Sequence, residues 1–404
     1  MPALKKALLI ALILISVNIM GYSQDSAKAT ITKKPWYQSL NIRGYTQVRY
    51  NGFLVETNPL LQCEQCDKSW GGNGGFFVRR ARVILSGQVH ERVFVYIQPD
   101  FASTPSSNVL NFVQLRDIYF DVSLDKEREF RFRIGQSKVP FGFENLQSSQ
   151  NRLALDRSDP INSAVANERD LGIFFYWAPA HIRERFKYLV ESGLKGSGDY
   201  GVLGVGAYNG QTANRPEVNR NRHVVGRLSY PFMLLDGQII EASIQGYTGK
   251  FVLLSHSIDV NTEVNNFEFL DRRVAGSLIV YPQPFGFQAE YNVGQGPEFK
   301  ALDYTIANQE LKGGYVQMMY MLKRNNQLII PFSRFQYYEG GKKHELDARS
   351  YRVKELEIGV EWQPIPSFEF VAMYTVSDRT FEDFRNPVNR QAGSLIRLQV
   401  QINY

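Results

Sequence analysis

Past its first twenty residues the sequence has no apolar run of the roughly 18 residues a transmembrane helix needs, which excludes a polytopic helical membrane protein. It has no strong excess of either charge. Lys and Arg number 46 against 40 Asp and Glu, and the resulting +6 is no footprint for nucleic acid. Histidine is scarce. His90, His181, His223, His256 and His344 fall in turns, loops or strand ends, and Ser255-His256-Ser257 has no acid in register. A nucleophile–base pair is therefore not expected, nor is any enzyme activity or cofactor. Cysteine is scarcer still, with only Cys63 and Cys66.

What is present is aromatic and built for turns: 22 Tyr, 27 Phe and 32 Gly, a composition that suits strands and excludes extended disorder. The N-terminus supplies a compartment. Lys5 and Lys6 precede an apolar stretch from Ala7 to Met20, and Gly21-Tyr22-Ser23 places small residues before a cut at Gln24. Residues 1–23 are thus expected to be a signal peptide, leaving 381 residues with a charge of +4 for the cell envelope. There, Cys63 and Cys66 are expected to form a small local disulfide, with free thiols as the alternative. A zinc site would need two further ligands, and no His lies nearby.

A period of two dominates the rest. In the last strand Ile396, Leu398, Val400, Ile402 and Tyr404 alternate with Arg397, Gln399, Gln401 and Asn403. The first mirrors it, with Ile42, Val48 and Tyr50 on one face and Arg43, Gln47 and Arg49 on the other. Similar segments recur at 78–89, 93–101, 114–124, 129–138, 170–178, once within 186–208, then 223–231, 238–248, 272–281, 286–292, 314–322, 328–338, 353–362 and 367–376. With the ends this makes sixteen. Short connections such as His90-Glu91 and 231–237 alternate with long ones such as 51–75, 138–168, 249–271, 293–313, 339–352 and 377–393. Short turns at one rim and long loops at the other mark an outer-membrane barrel, and sixteen strands leave an aqueous bore.

The expected fold is therefore all-β: a 16-stranded antiparallel transmembrane β-barrel over residues 39–404, preceded by a short periplasmic segment, 24–38. A plug domain has no room there. Because an Arg facing lipid near the midplane costs roughly 2–4 kcal/mol, Arg43, Arg49, Arg80, Arg82, Arg131, Arg133 and Arg397 must face water, which fixes the register. Basic residues come mainly from the first five strands and acids from the last six, so a transverse field that favours anions is expected. A structural or adhesive barrel without transport is the alternative.

Several segments carry a resemblance. They are Val78-Arg-Arg-Ala-Arg-Val-Ile-Leu-Ser-Gly87, Arg116-Asp-Ile-Tyr-Phe-Asp121, Gly135-Gln-Ser-Lys-Val-Pro-Phe-Gly-Phe-Glu-Asn-Leu-Gln-Ser-Ser149, Glu168-Arg-Asp-Leu-Gly-Ile173 and Gly286-Phe-Gln-Ala-Glu-Tyr-Asn292. Together they resemble the phosphate-selective porin O and P family. The resemblance implies trimeric outer-membrane porins of Gram-negative bacteria, passing small hydrophilic solutes and favouring anions such as phosphate. It also implies that 138–168, after strand five, folds inward as a constriction loop. By the same likeness Ser148 and Ser149 match a serine pair at the anion, Arg157 an arginine, Arg79-Arg80 an arginine pair, and Asp117 an acid near the constriction. Lys138 closes strand five beside them. Two lysine positions of the phosphate-binding members read here as Asn145 and Gln150, which removes two positive charges. The partners implied are outer-membrane lipid, small anions, two further copies of the chain, and the barrel-assembly machinery through the C-terminal strand.

Overall fold

The computed structural model describes residues 35–56, 75–103 and 111–404. The expected signal peptide, Cys63 and Cys66 lie outside these residues. The chain divides into Met1–Gln38 and Ser39–Tyr404. Of the first unit only residues 35–38 are described, in a 3-10 turn that runs through Trp36–Ser39.

The second unit is a closed barrel of sixteen antiparallel strands. They are β1 (Leu40–Glu56), β2 (Gly75–His90), β3 (Val93–Ser103), β4 (Phe112–Ser123), β5 (Phe130–Lys138), β6 (Arg169–Trp177), β7 (Leu203–Tyr208) and β8 (His223–Met233). The others are β9 (Ile239–Val252), β10 (Glu268–Val280), β11 (Phe285–Lys300), β12 (Thr305–Tyr320), β13 (Gln327–Gly341), β14 (Ser350–Ile365), β15 (Phe368–Glu382) and β16 (Arg390–Asn403). Each pairs with the next, and β16 returns to β1 with Val48 opposite Val400 and Thr46 opposite Ile402. Closure leaves no free edge. Two short pieces add no stave: Asn261–Thr262 pairs parallel to β12 at one rim, and Leu322–Arg324 continues β12 past Met321. That continuation ends in Asn325-Asn326, both with positive φ, the conformation a two-residue hairpin demands.

The faces follow the period of two. Ile42, Leu228, Ile244, Val274, Ile358 and Ile402 are exposed on the outside, whereas Gln47, Arg49, Arg227, Arg273, Glu357 and Arg397 are buried within. At the short-turn rim the outward residues become aromatic: Phe130, Phe232, Phe285, Tyr320, Trp362 and Tyr404. This is an interfacial girdle. Toward the long-loop rim the outward row turns charged. On β14 it reads Trp362, Val360, Ile358, Leu356 and then Lys354 and Arg352. Arg352 meets Glu339 at 3.0 Å and Arg390 meets Asp378 at 2.8 Å, which marks where the wall leaves hydrocarbon.

Two connections depart from the expected sorting. Between β11 and β12 only residues 301–304 are left, because the ladder runs unbroken from Phe285 opposite Tyr320 to Lys300 opposite Thr305. On the short-turn rim, 178–202 is long and carries a helix, α3 (Ala180–Glu191), so the strand expected within 186–208 shrinks to Leu203–Tyr208. Ile182, Phe186 and Leu189 recur at helical spacing there, a pattern no strand can bury on one face.

Candidate functional site

Residues 139–168 leave β5 and cross the barrel interior, and almost every side chain from Val139 to Val165 is buried. The segment turns inward at Gly142. Its φ is +82°, and a Cβ there would sit 2.3 Å from Ile161 Cγ2, so only glycine fits. Two single turns of helix follow, α1 (Phe143–Leu146) and α2 (Asp159–Asn162). Glu290 on β11 caps the first, accepting from the backbone N–H of Phe143 at 2.6 Å and of Glu144 at 2.8 Å.

Three carboxylates pin the segment to opposite walls. Asp156 accepts from Arg49 of β1 at 3.1 Å and from Arg397 of β16, and lies 3.7 Å from Arg79 of β2. Glu144 accepts from Arg334 of β13, and from the Ser158 N–H and hydroxyl at 2.7 Å each. Asp159 accepts from Lys342 at 2.6 Å and lies 3.1 Å from the guanidinium of Arg379 on β15. On the home side, Lys138 donates to the carbonyls of Leu146 at 2.7 Å and Gln147 at 2.8 Å.

Most inward charges are paired locally. Arg82 meets Asp100 at 2.7 Å, Arg133 meets Asp121 at 2.8 Å and stacks 4.0 Å from the Tyr119 ring, and Arg131 meets Asp199 at 2.8 Å. Across the barrel Glu241 meets Arg227 at 3.0 Å, Glu355 meets Arg379 at 2.7 Å, and Glu361 meets Lys195 at 2.5 Å. The wall-to-wall separation of sign expected from the sequence is thus largely cancelled pair by pair.

Like Arg273, whose other nitrogens donate to Pro160 and Ser163, two neighbouring guanidiniums lack a carboxylate. Arg80 on β2, 4% exposed, donates to Gln47 Oε1 at 2.8 Å and leaves its Nε without a partner. Arg152 in the inward segment, 5% exposed, donates only to the Leu155 carbonyl at 3.3 Å and leaves Nε and Nη1 without partners. Among the described residues neither meets a carboxylate, and the two are near enough to repel each other. Burial, and next the Arg157 guanidinium, push the Arg152 pKa down from its ordinary value, so an anion arriving here would relieve a standing penalty. Beside them Ser149 Oγ lies 2.6 Å from the Tyr45 hydroxyl and 3.0 Å from Arg82 Nη1.

Of the residues singled out from the sequence, Arg79, Arg80, Arg82 and Ser149 come together with Arg49. Arg43 is exposed at the short-turn mouth, where it lines a cavity with Gln150 and Asn151. Arg131 and Arg133 lie with Asp121 and Asp199. Asp117 receives Arg169 Nε at 2.9 Å, and Arg157 meets Glu168 at 2.9 Å, so these two belong to a neighbouring network with Lys138. Burial would raise the Glu168 carboxyl, yet Arg157 and Arg169 hold it below the usual carboxylate range. Ser148 is half-buried, and its carbonyl accepts from the Asn151 N–H. Asn145 is bound within the segment, donating to the Ile161 carbonyl at 3.0 Å.

Sequence reasoning passed over Arg152 and Arg116. Arg116 reaches Asn167 at 3.0 Å and Glu168 at 3.9 Å although strict alternation would point it at lipid. The reason is a bulge: Gln98 pairs with Asp117 and Pro99 with Leu115, so Arg116 is the extra residue. The same happens at Arg79, skipped between Arg80 opposite Gln47 and Val78 opposite Val48. Adjacent polar residues in an alternating strand, Arg79-Arg80 and Arg116-Asp117, were the available signal.

Comparison with known proteins places these features. The family model described as phosphate-selective porin O and P matches residues 64–404. Among solved structures, the chain resembles the outer membrane channel DcaP of Acinetobacter baumannii (TM-score 0.55, 13% identity, 90% of this chain and 97% of that one). It also resembles Salmonella typhi OmpF in complex with daunomycin (0.56, 10%, 90% and 97%) and the trimer form of the Vibrio cholerae outer membrane protein OmpT (0.52, 10%, 91% and 100%). No curated protein sequence matches.

Proposed function

The chain belongs to the phosphate-selective porin O and P family, channels of the Gram-negative outer membrane rather than enzymes, and from that premise we propose that it passes small hydrophilic solutes with a preference for anions. The observation that carries the preference is the buried pair Arg80 and Arg152, with donor nitrogens that no protein group takes up. The inward segment 139–168 is the constriction, and Ser149, Tyr45 and Arg82 are the neutral and paired donors around it. An inorganic oxyanion such as phosphate fits this donor set, since guanidiniums grip planar pairs of oxygens and hydroxyls add single bonds. Arg152 supplies within the segment a cation that Asn145 and Gln150 do not. The other cations, Arg43, Arg49, Arg79, Arg131, Arg133, Lys138 and Arg157, together with Asp117 and Ser148, shape the field along the path.

In this reading residues 1–23 are a signal peptide and 24–38 a short periplasmic segment, and the barrel assembles as a homotrimer inserted through its C-terminal strand. Planar-bilayer recording of the purified barrel tests the proposal. A KCl gradient is expected to give a reversal potential on the chloride side, and added phosphate to reduce the chloride current. A barrel that conducts with no anion preference would overturn the selectivity. One that gives no solute flux in liposome swelling would favour a structural role.

A further inference from the structure

The other inward excursion comes from the opposite rim. Connections there are short, 91–92, 124–129, 234–238, 281–284 and 366–367, except for 178–202. Its helix α3 buries Ile182, Phe186 and Leu189 in one cluster with Ile239, Ile279, Tyr281, Met319, Phe332 and Met373. These wall residues occupy the inward row of β9 to β15 or its direct continuation, the row that carries Glu241, Arg273, Gln317, Arg334 and Thr375 further up. An apolar lumen wall facing water would forgo roughly 25 cal/mol per Å² of burial. It is apolar here because the helix covers it, which places α3 inside the mouth of the barrel.

The helix is tied down at its first residue and again at its middle. Glu129 accepts from the Ala180 N–H at 2.7 Å, and Arg185 donates to the Pro231 carbonyl at 2.6 Å. Beyond it, Lys195 meets Glu361 at 2.5 Å, and its carbonyl accepts from Gln147 of the constriction segment. On the side the helix leaves free, a cavity of about 250 Å³ is lined by Arg43, Gln150, Asn151, Glu191, Lys195 and Glu369.

We propose that helix α3 is a fixed stopper in the short-turn mouth and that solutes pass through this cavity, so size is selected here as well as at the constriction. The inference rests on the channel reading but not on its anion preference. Glu191 is exposed at the cavity, so Glu191→Trp is expected to lower single-channel conductance by about twofold. Leu235→Trp, on an exposed turn outside the cavity, is expected to leave it unchanged. Replacing 180–192 by a short Gly-Ser turn is expected to raise conductance several-fold and to admit larger neutral sugars in liposome swelling. Retention of the folded barrel is checked by its mobility on unheated gels. If the Gly-Ser variant does not fold, Glu191→Trp decides alone. A folded Glu191→Trp barrel that conducts like its parent overturns the stopper, whereas a parent that does not conduct at all overturns the channel reading instead.

Discussion

Adjacent arginines cannot both face water in an ideal strand, so Arg79 and Arg80 reach the lumen together only because the ladder slips by one residue between them. The slip sends Arg79 toward Asp156 and leaves Arg80 facing Arg152 without a carboxylate. A hydrogen bond to a charged group contributes about 1.5–3 kcal/mol. Arg80→Gln and Arg152→Gln are therefore each expected to weaken phosphate block of the chloride current at least tenfold, read from the block constant in single-channel titrations. Arg82→Gln is a poorer probe, since it also strands the buried Asp100.

At the scale of the element, the inward segment is held by charges that would be costly to leave alone. Asp156→Asn removes a carboxylate charge that Arg49 and Arg397 share, and breaking a buried pair costs about 3–5 kcal/mol. The expected result is a segment that detaches intermittently, seen as current noise and a lower denaturant midpoint. The helix-bearing connection has its own clasp. Burial would raise the Asp199 carboxyl, but Arg131 and Arg183, each 2.8 Å away, bring it down to about 2. A depressed carboxyl stabilises fully above the unfolded value of about 4 and loses that contribution as pH falls toward 2. Limited proteolysis of 178–202 is accordingly expected to be the same at pH 7 and pH 5 and faster at pH 3. Asp199→Asn should show the fast pattern already at pH 7.

At the scale of the molecule, the barrel is a polar interior inside an apolar belt. Its mean hydropathy of −0.29 looks soluble because each strand shows lipid only half its residues. The belt ends where outward rows turn charged, so position along a strand sets the energetic effect of a new charge. Ile244→Arg, outward near the middle of β9, is expected to destabilise the folded barrel in lipid by about 2–4 kcal/mol. Thr248→Glu, four residues up the same outward row and opposite Arg272, is expected to change it little. Denaturant titration of the barrel in vesicles measures both.

Much of this was legible in the sequence. Alternation gave the strand number and the direction each side chain faces, because a one-residue slip would turn Arg49 or Arg397 into lipid. Loop lengths gave the rims, and the quoted motifs gave the family. What alternation could not reveal were the places where it breaks. The bulges at Arg79 and Arg116 depend on partner strands far away in the chain. The helix at 180–191 was obscured by counting strands, although its apolar spacing was on view. Which cations stay unpaired was beyond any one-dimensional reading. Asp156 is local to its segment in sequence, but its partners Arg49 and Arg397 stand at opposite ends of the chain and become neighbours only when β16 closes on β1. Sequence by itself determined the barrel and its register, since lipid and water impose them residue by residue. Only the tertiary structure decided where charge is left over, because that depends on which walls the two inward segments touch.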